Sequence, residues 1–351
     1  MSRSVIDNTE KAGSRFRDKY DPKVADWIQA YGGGGTNGTS QTGHTAHTDH
    51  MGHAGHAGHA DEGPAEFDAA LLGAPLSKTS ISHSAAFQLP DAIRKSFQAF
   101  TPYSVHHRLN LADRLRVVDI GNVQMHKTDL GLCQQNIEAA AKSYWQQHRK
   151  PLVLLGGDHS ITGASILGMT EATGLSCGIV HFDAHHDVRN LEDGGRTNGT
   201  PFRTLLESEA IDGHKLVQIG LRDFTNAQAY HEYVLHHGAT VYTARDVRKQ
   251  GLLELVQQSF DIASKGTDAV YVSFDMDVLD QSFVPGVPAP SPGGLDIWET
   301  IETLEWLGQQ SNVEAMDVVC ADPNQDFRDL TTRVASTLVL SFLTGLALRQ
   351  P

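Results

Sequence analysis

The stretch HFDAHHDV, residues 181–188, decides the fold. The apolar residues 177–180 lead into it and predict a buried strand, because the run is too short for a helix. Alternate residues of an extended chain point to the same side, so Asp183, His185 and Asp187 can face one point. Two carboxylates and an imidazole at the end of an apolar strand are unfavourable unless a positive charge lies among them. The stretch therefore indicates a divalent metal ion.

Two further apolar runs end in the same kind of side chain. Residues 152–155 are followed by the sequence GGDHS at 156–160, and residues 271–274 are followed by Asp275 and Asp277. One such strand end could be an ordinary polar loop, whereas three of them indicate a shared site. The six candidate metal ligands are His159, Asp183, His185, Asp187, Asp275 and Asp277.

The ligand set predicts the kind of metal and its chemistry. Four carboxylates and two imidazoles are too anionic for a structural zinc site and suit manganese, with nickel (Ni²⁺) or another divalent ion as the alternative. Two such ions about 3.5–4 Å apart can share a water molecule and make it a nucleophile near neutral pH. The chain has no G-x-S-x-G elbow and no G-x-x-x-x-G-K-[ST] loop. We therefore predict a hydrolase with a binuclear metal centre.

The composition limits the partners and the compartment. The chain has 351 residues, 40% of them hydrophobic, and a net charge of -14, which argues against nucleic acid and anionic membranes because both would repel it. Three cysteines that form no C-x-x-C pair predict a reducing compartment without disulfides. The polar N-terminus does not read as a signal peptide, and no apolar run approaches the roughly 20 residues of a membrane span. We expect a soluble, cytoplasmic protein that acts on a small molecule.

Strand-like and helix-like segments alternate from residue 67 onward. This alternation predicts an α/β fold of three layers (α/β/α), with a mostly parallel sheet of about eight strands between helices. In such sheets ligands bind beyond the carboxyl ends of the strands, where all six candidate ligands fall. The last helix, predicted at 330–348, is apolar on most sides and should be buried. The strands are predicted at residues 68–73, 115–121, 152–155, 177–182, 215–221, 239–243, 268–274 and 314–321.

The chain is predicted to divide into three parts. Residues 1–31 form an N-terminal segment with a short helix at 14–30, and residues 67–351 form the catalytic domain. Residues 32–66 form a Gly/His-rich insertion that we expect to be disordered, because it lacks apolar side chains. Histidine recurs there at every third position from His44 to His59. A cloning tag would usually be an uninterrupted run, so we interpret this tract as a loose metal-binding loop.

The three motifs resemble the signatures of the arginase/agmatinase (ureohydrolase) family. The matching stretches are GGDHS at 156–160, DAHHD at 183–187 and SFDMDVLD at 273–280. Within the family the likeness is closest to the formimidoylglutamases, through residues 73–84 and 322–329 among others. The resemblance implies an arginase-like fold, two Mn²⁺ ions per subunit and a homo-oligomer. It also implies hydrolysis of N-formimidoyl-L-glutamate, a small-molecule amidine, to L-glutamate and formamide.

The resemblance further implies a role for each ligand. Asp183 and Asp275 would bridge the two ions, and a bridging hydroxide would attack the formimidoyl carbon. Asp187 would be the catalytic proton relay to the leaving nitrogen. The ligands that would complete the two sites are His159 with Asp187 and His185 with Asp277.

Two positions depart from the wider family. Asn198 stands where many members have a histidine, and an amide cannot shuttle protons, so we expect it to hydrogen-bond the substrate. Cys320 stands where members usually have a glutamate that pairs with the cationic amidine, and a thiol is a weak partner for a cation. The substrate carboxylates also need donors. Arg189 and Asn190, directly after the second motif, are the first candidates, and Arg222 is the next.

Two alternatives stay open. Another amidine or guanidine hydrolase of the same family (agmatinase-, guanidinobutyrase- or guanidinase-like) would release urea instead of formamide. A non-catalytic metal-storage or metal-delivery protein would account for the histidine tract, but it would not need carboxylate-rich ligands on three buried strands. For the substrate carboxylates, Lys78 and His83 are further possible contacts.

Overall fold

The computed structural model describes residues 18–32 and 66–349. Nine parallel strands form one sheet, in the order β1-β5-β2-β6-β11-β10-β7-β8-β9. A separate two-stranded antiparallel ribbon is made by β3 and β4. The strands are β1 Gln29–Ala30, β2 Ala69–Gly73, β3 Tyr103–Ser104, β4 Leu109–Asn110, β5 Val117–Asn122, β6 Leu152–Leu155, β7 Cys177–Phe182, β8 Leu216–Leu221, β9 Thr240–Thr243, β10 Ala269–Asp275 and β11 Val313–Val319.

All eight strands predicted for the sheet are confirmed, with bounds within two residues of those expected. The ninth strand, β1, comes from the N-terminal segment and pairs with β5 at the sheet edge. The helix predicted at 14–30 is therefore wrong over Gln29–Ala30. Within the described part of that segment, only Val24–Trp27 is helical. The edge of a neighbouring strand offers backbone hydrogen bonds that a short helix does not use.

Helices cover both faces of the sheet, so the three-layer arrangement is confirmed. One apolar core contains residues of α2 and α7–α10, and the other contains residues of α3–α6. Successive residues of one strand enter opposite cores, as Val270 and Tyr271 of β10 do. The helices are α1 Val24–Trp27, α2 Leu89–Ser96, α3 Leu130–Gln147, α4 Ser160–Thr173, α5 Pro201–Glu207, α6 Gln228–His236, α7 Ala244–Gln250, α8 Leu252–Ser264, α9 Ile297–Gln309 and α10 Leu330–Ala347.

The helix α10 lies in the core, as predicted. Among the described residues it is the one helix that is long and apolar enough to cross a membrane, judged by length and composition alone. In the structure, however, 72% of its apolar window is buried by the rest of the protein. Core helices of this kind pass the same test, so α10 is weak evidence for a membrane span.

The strand order brings the predicted ligands together. The central strands run β6-β11-β10-β7, and the three ligand motifs follow β6, β10 and β7. Parallel strands place their carboxyl ends at one edge, so these motifs share a site. Cys320 directly follows β11, so it lies between the motif after β6 and the motif after β10. The histidine tract lies outside the described residues.

Candidate metal centre

The six candidate ligands converge at the carboxyl edge of the sheet. One group of ligand atoms comes from His159, Asp183, Asp187 and Asp275, and an adjoining group comes from Asp183, His185 and Asp277. Within each group the atoms lie within 4.8 Å of one another. His159 and Asp183 are fully buried, and Asp275 and Asp277 are nearly so. Four carboxylates in so small a buried volume need positive charge.

Asp183 lies between the two groups. Its Oδ2 is 3.1 Å from Nδ1 of His159, and its Oδ1 is 3.2 Å from Nδ1 of His185. Oδ2 of Asp277 lies 3.2 Å from the same Nδ1 of His185. Asp275 contributes Oδ2 to the first group only, 3.2 Å from Nδ1 of His159. Asp183 thus places one carboxylate oxygen in each of the two ligand groups.

The backbone is adapted to hold these side chains. Asp187 has a φ of 51°, in the left-handed region that costs a non-glycine residue about 1–3 kcal/mol. This turn brings its Oδ2 to 2.9 Å from Nδ1 of His159. Gly157, two residues before His159, lies so close to the segment after β2 that a Cβ there would be 1.8 Å from the carbonyl oxygen of Leu76. A glycine is therefore needed for the loop to pass.

The electrostatics of the metal-free cluster show strong mutual repulsion among the carboxylates. Burial and the neighbouring Asp277 and Asp183 raise the pKa of Asp275 to about 8. Burial and the charge of Asp183 raise the pKa of Asp187 to about 6. Burial would lower the pKa of His185, but Asp277 and Asp183 outweigh it and raise that pKa to about 12. The cluster therefore binds protons tightly, as a site for cations does.

His159 has the geometry of a metal ligand. Its Nε2 is 2.9 Å from Oγ of Ser273, whose own hydroxyl donates to Oδ1 of Asp317 at 3.0 Å. The Ser273 oxygen can then accept the proton of Nε2, which leaves Nδ1 with its lone pair. Nδ1 is buried and has no hydrogen-bond partner, although three carboxylate oxygens surround it. A lone pair facing carboxylates is favourable only with a proton or a metal ion between them. Burial would lower the pKa of His159, but Asp183, Asp187 and Asp275 raise it well above its usual range, so the position attracts positive charge and these residues fit a divalent metal.

The groups that orient these ligands were missed by sequence reasoning. Asp317 accepts from Thr162 at 2.7 Å and from Tyr271 at 3.0 Å. His181 contacts Oδ2 of Asp183 at 3.0 Å and accepts from Gln218 at 3.1 Å. Most of these contacts join residues from different strands or from a helix and a strand, so their pairing is not visible in the sequence. A polar residue inside an apolar strand, such as Asp317 or Gln218, is the signal that could have been used.

A cleft of about 100 Å³ opens from the cluster. Three of the five predicted substrate contacts line it: Arg189, Asn198 and Cys320. The guanidinium of Arg189 makes no hydrogen bond or ion pair to any residue that the structure describes. Oδ1 of Asn198 accepts from the backbone amide of Ile81 at 2.9 Å, which turns its NH₂ group away from that amide. The other lining residues are Ile81, Ser82, His185, Asp187, Gly199, Asp275, Asp277, Pro288 and Ala289.

Two predicted substrate contacts lie elsewhere. Asn190 donates to Asp193 at 2.8 Å and is not part of the cleft lining. The buried guanidinium of Arg222 donates to the backbone carbonyls of Asp277, Val278 and Leu279 and thereby holds the segment after β10. These two side chains stabilise the protein's own loops, because their polar groups are already hydrogen-bonded within the protein.

The secondary candidates are also outside the cleft. Lys78 donates to the backbone carbonyls of His126 and Lys127. His83 lies on the surface, where its carbonyl accepts from Gln325 at 3.2 Å. Neither side chain lines the cleft.

Comparisons with known proteins agree with this architecture. The Arginase family profile matches residues 67–345. The chain belongs to the arginase family. It is 47% identical over 277 residues to the formimidoylglutamase of Halalkalibacterium halodurans, covering 78% of this chain and 86% of that protein. It is 37% identical to the Bacillus subtilis formimidoylglutamase, covering 96% of each. The solved structure of the B. subtilis enzyme superposes with a TM-score of 0.85, at 35% identity, over 99% of this chain and 98% of that one.

Membership of the arginase family settles two of the broad questions. The predicted arginase-like fold is confirmed, and the chain is a hydrolase of a family whose members work with a binuclear metal centre. The alternative of a non-catalytic metal-storage protein is thereby set aside. The described residues also contain the metal-binding groups that such chemistry needs.

Proposed function

We propose that this arginase-family enzyme hydrolyses N-formimidoyl-L-glutamate to L-glutamate and formamide. The observation that carries the proposal is the cleft, which joins a carboxylate-rich ligand cluster to the two donors Arg189 and Asn198. A substrate with an amidine at one end and carboxylates at the other fits this cleft: the amidine would lie at the ligand cluster and the carboxylates at the two donors. The two relatives at 47% and 37% identity are formimidoylglutamases, which supports the same substrate.

The metal would be manganese, two ions per subunit. The oxygen-rich ligand set, with one imidazole in each group, supports this choice, and Ni²⁺ or another divalent ion is the alternative. His159, Asp187 and Asp275 would hold one ion, His185 and Asp277 the other, and Asp183 would serve both. Two bound ions would supply a nucleophilic water near neutral pH. Asp275 would also bind the second ion, as the family resemblance implies, if its other carboxylate oxygen were a ligand as well.

Arg189 and Asn198 would bind the substrate through its carboxylates. A guanidinium has only donors, and the NH₂ group of Asn198 also donates, so both suit an anion. Charge-assisted hydrogen bonds of this kind contribute roughly 1.5–3 kcal/mol each. They would orient the molecule with the formimidoyl group toward the cluster. Recognition would thus come from the end of the substrate remote from the reacting carbon.

Asp187 would move the proton in the reaction. Asp187 lines the cleft and its carboxylate also belongs to the ligand cluster, so it would face both the attacking water and the bound substrate. Water adds to the formimidoyl carbon, and the bond from that carbon to the glutamate nitrogen then breaks. The leaving nitrogen takes a proton, which Asp187 would relay from the attacking water. Formamide and the free amino group of glutamate result.

The competing assignment is another amidine or guanidine hydrolase of the family, which would release urea. The glutamate that usually pairs with the amidine in this family is replaced by Cys320 here, so a strongly cationic guanidinium loses a partner. A substrate held by its carboxylates does not depend on that partner. This difference favours N-formimidoylglutamate over agmatine and guanidine.

The deciding experiment measures metal content and product identity together. Purified protein loaded with Mn²⁺ is given N-formimidoylglutamate, agmatine, guanidinobutyrate and guanidine, and formamide, urea and ammonia are quantified. We expect formamide and glutamate in equal amounts from N-formimidoylglutamate, and slow or no turnover of the others. Faster release of urea from agmatine or guanidine would replace this assignment with the competing one.

The remaining proposals concern the setting of the enzyme. We propose a cytoplasmic homo-oligomer that binds neither nucleic acid nor membranes. The net charge of -14 supports the absence of nucleic-acid and membrane partners, and the three cysteines, all free in the structure, support a reducing compartment. The homo-oligomer is proposed from the family resemblance. Size-exclusion chromatography with light scattering tests the oligomer, and fractionation of the source cells tests the compartment.

A further inference from the structure

Cys320 occupies an unusual place for a cysteine. It directly follows β11, which lies between β6 and β10 in the sheet, so it stands between the His159 and Asp275 motifs. Its sulfur, a ring nitrogen of His159 and a carboxylate oxygen of Asp275 lie within 4.8 Å of one another. The residue is 5% exposed and lines the cleft. The strand order therefore adds a third type of ligand atom to the cluster.

The backbone holds Cys320 in this position. Its φ is 63°, in the left-handed region that is uncommon for a residue with a side chain. Its amide donates to the carbonyl of Gly157 at 2.9 Å, in the loop that carries His159. Farther on, Oδ2 of Asp322 accepts from the amide of Ala85 at 2.8 Å, which fixes the following turn. Strained backbone held by its surroundings in this way is typical of functional sites.

The cluster also contains an atom without a partner. Nδ1 of His159 is buried and unpartnered, and it faces the carboxylate oxygens of the cluster, with Asp275 at 3.2 Å. A free cysteine thiol carries its proton near neutral pH. A soft ion that binds sulfur strongly would displace that proton to solvent. Manganese, a harder ion, would leave it in place.

We propose that Cys320 is a conditional metal ligand, which binds thiophilic divalent ions such as Co²⁺, Zn²⁺ or Cd²⁺ together with His159 and Asp275. This inference rests on the proposed metal centre. It adds that the ligand set depends on the ion: oxygen and nitrogen atoms alone for Mn²⁺, and sulfur in addition for the softer ions. Cys320 thus biases the protein toward soft ions, which ordinary carboxylate and imidazole ligands would not do to the same extent.

The test uses cobalt as a spectroscopic probe. Full-length protein, freed of metal with a chelator, is loaded with Co²⁺, and bound cobalt is counted by metal analysis after dialysis. A sulfur–cobalt bond gives an intense near-ultraviolet charge-transfer band. The variant is Cys320→Ser, with Cys320→Ala as a second form if the serine protein does not fold. The matched control is Cys133→Ser, because Cys133, on α3, is also buried but donates to the carbonyl of His126, away from the cluster.

We expect the band in the parent and in Cys133→Ser, and its loss in Cys320→Ser with cobalt still bound. The ratio of Zn²⁺ to Mn²⁺ affinity should fall at least about tenfold in Cys320→Ser, because loss of even a group that only orients a metal ligand typically costs about 10–100-fold in affinity. Bound cobalt without the band in the parent, or a band that survives in both Cys320 variants, would overturn the inference and leave the proposed hydrolase standing. If the parent binds neither Co²⁺ nor Mn²⁺, both this inference and the proposed metal-dependent hydrolase are wrong.

Discussion

The hydrogen bond from His159 to Ser273 provides a sharp test of the site. Ser273→Ala removes the acceptor of Nε2 of His159, at 2.9 Å, and changes only one atom. Asp317 loses one donor, but it keeps Thr162, Tyr271 and the Phe274 amide as partners. The main effect of the substitution is therefore that Nε2 of His159 loses its hydrogen-bond partner. The imidazole ring is no longer held with Nδ1 toward the carboxylates.

The size of the effect follows from these contacts. A buried N–H without a partner costs about 1–3 kcal/mol, so the free energy of unfolding of the metal-free protein should fall by that amount. Removal of the group that orients a metal-binding histidine typically lowers metal affinity about 10–100-fold. At about 1.4 kcal/mol per factor of ten, this is roughly 1.4–2.8 kcal/mol of binding free energy. The variant should remain folded but bind metal weakly.

The assay compares Mn²⁺ affinity and chemical unfolding with and without metal. Bound metal stabilises the native state by RT ln(1 + [L]/Kd), so the stabilisation at a fixed Mn²⁺ concentration should shrink as Kd rises. Ser259→Ala is the matched control. Ser259 is also fully buried, but its Oγ donates only to Leu255 of its own helix, at 2.6 Å. This control should lose some stability and no metal affinity.

Ser273→Ala protein that binds Mn²⁺ as tightly as the parent, while its unfolding free energy falls as expected, would refute the proposed role of the hydrogen bond. Such a result would mean that the carboxylates alone orient His159. An equal loss of affinity in both serine variants would point to general loosening of the fold. Only a loss confined to Ser273→Ala supports the proposed role of the hydrogen bond.

The remaining predictions address the ligands, the protons, the insertion and the substrate. Asp183→Asn should lose bound metal and activity with the fold retained, because an amide is a poor ligand for both neighbouring ions; normal turnover at full metal occupancy would contradict this. The pKa of His185 is raised to about 12 and that of Asp275 to about 8, so metal must displace protons. Metal affinity should therefore fall as pH is lowered from about 12, and more steeply below about 8. Activity at limiting metal should then drop more steeply in acid than activity at excess metal, and identical pH profiles would count against proton competition. Deletion of residues 32–60 should slow activation of the metal-free protein by sub-stoichiometric Mn²⁺ without changing the fully loaded rate; an unchanged activation rate would assign the histidine tract another role. Arg189→Ala should raise KM for N-formimidoylglutamate about tenfold or more, since a charge-assisted hydrogen bond contributes roughly 1.5–3 kcal/mol; an unchanged KM would place the carboxylate site elsewhere.

The sequence by itself determined the sheet and the ligands. Apolar runs such as Leu152–Leu155 and Cys177–Phe182 are strands because of local hydrophobic pattern, and the ligands lie beside them in the chain. The position of each ligand at a strand end needs no knowledge of strand order, because all parallel strands end at one edge. Local pattern was therefore enough to predict which six side chains gather there.

Only the tertiary structure decided which groups surround those ligands. Ser273 and Asp317 are partners because β10 and β11 are neighbours in that register, and His181 and Gln218 are partners for the same reason on β7 and β8. Strand β1 joined the sheet because an edge was free at β5. The role of Arg222 likewise depends on where the segment after β10 passes. Contacts between residues far apart in the chain follow from strand order and register, and hydrophobic periodicity carries no information about either.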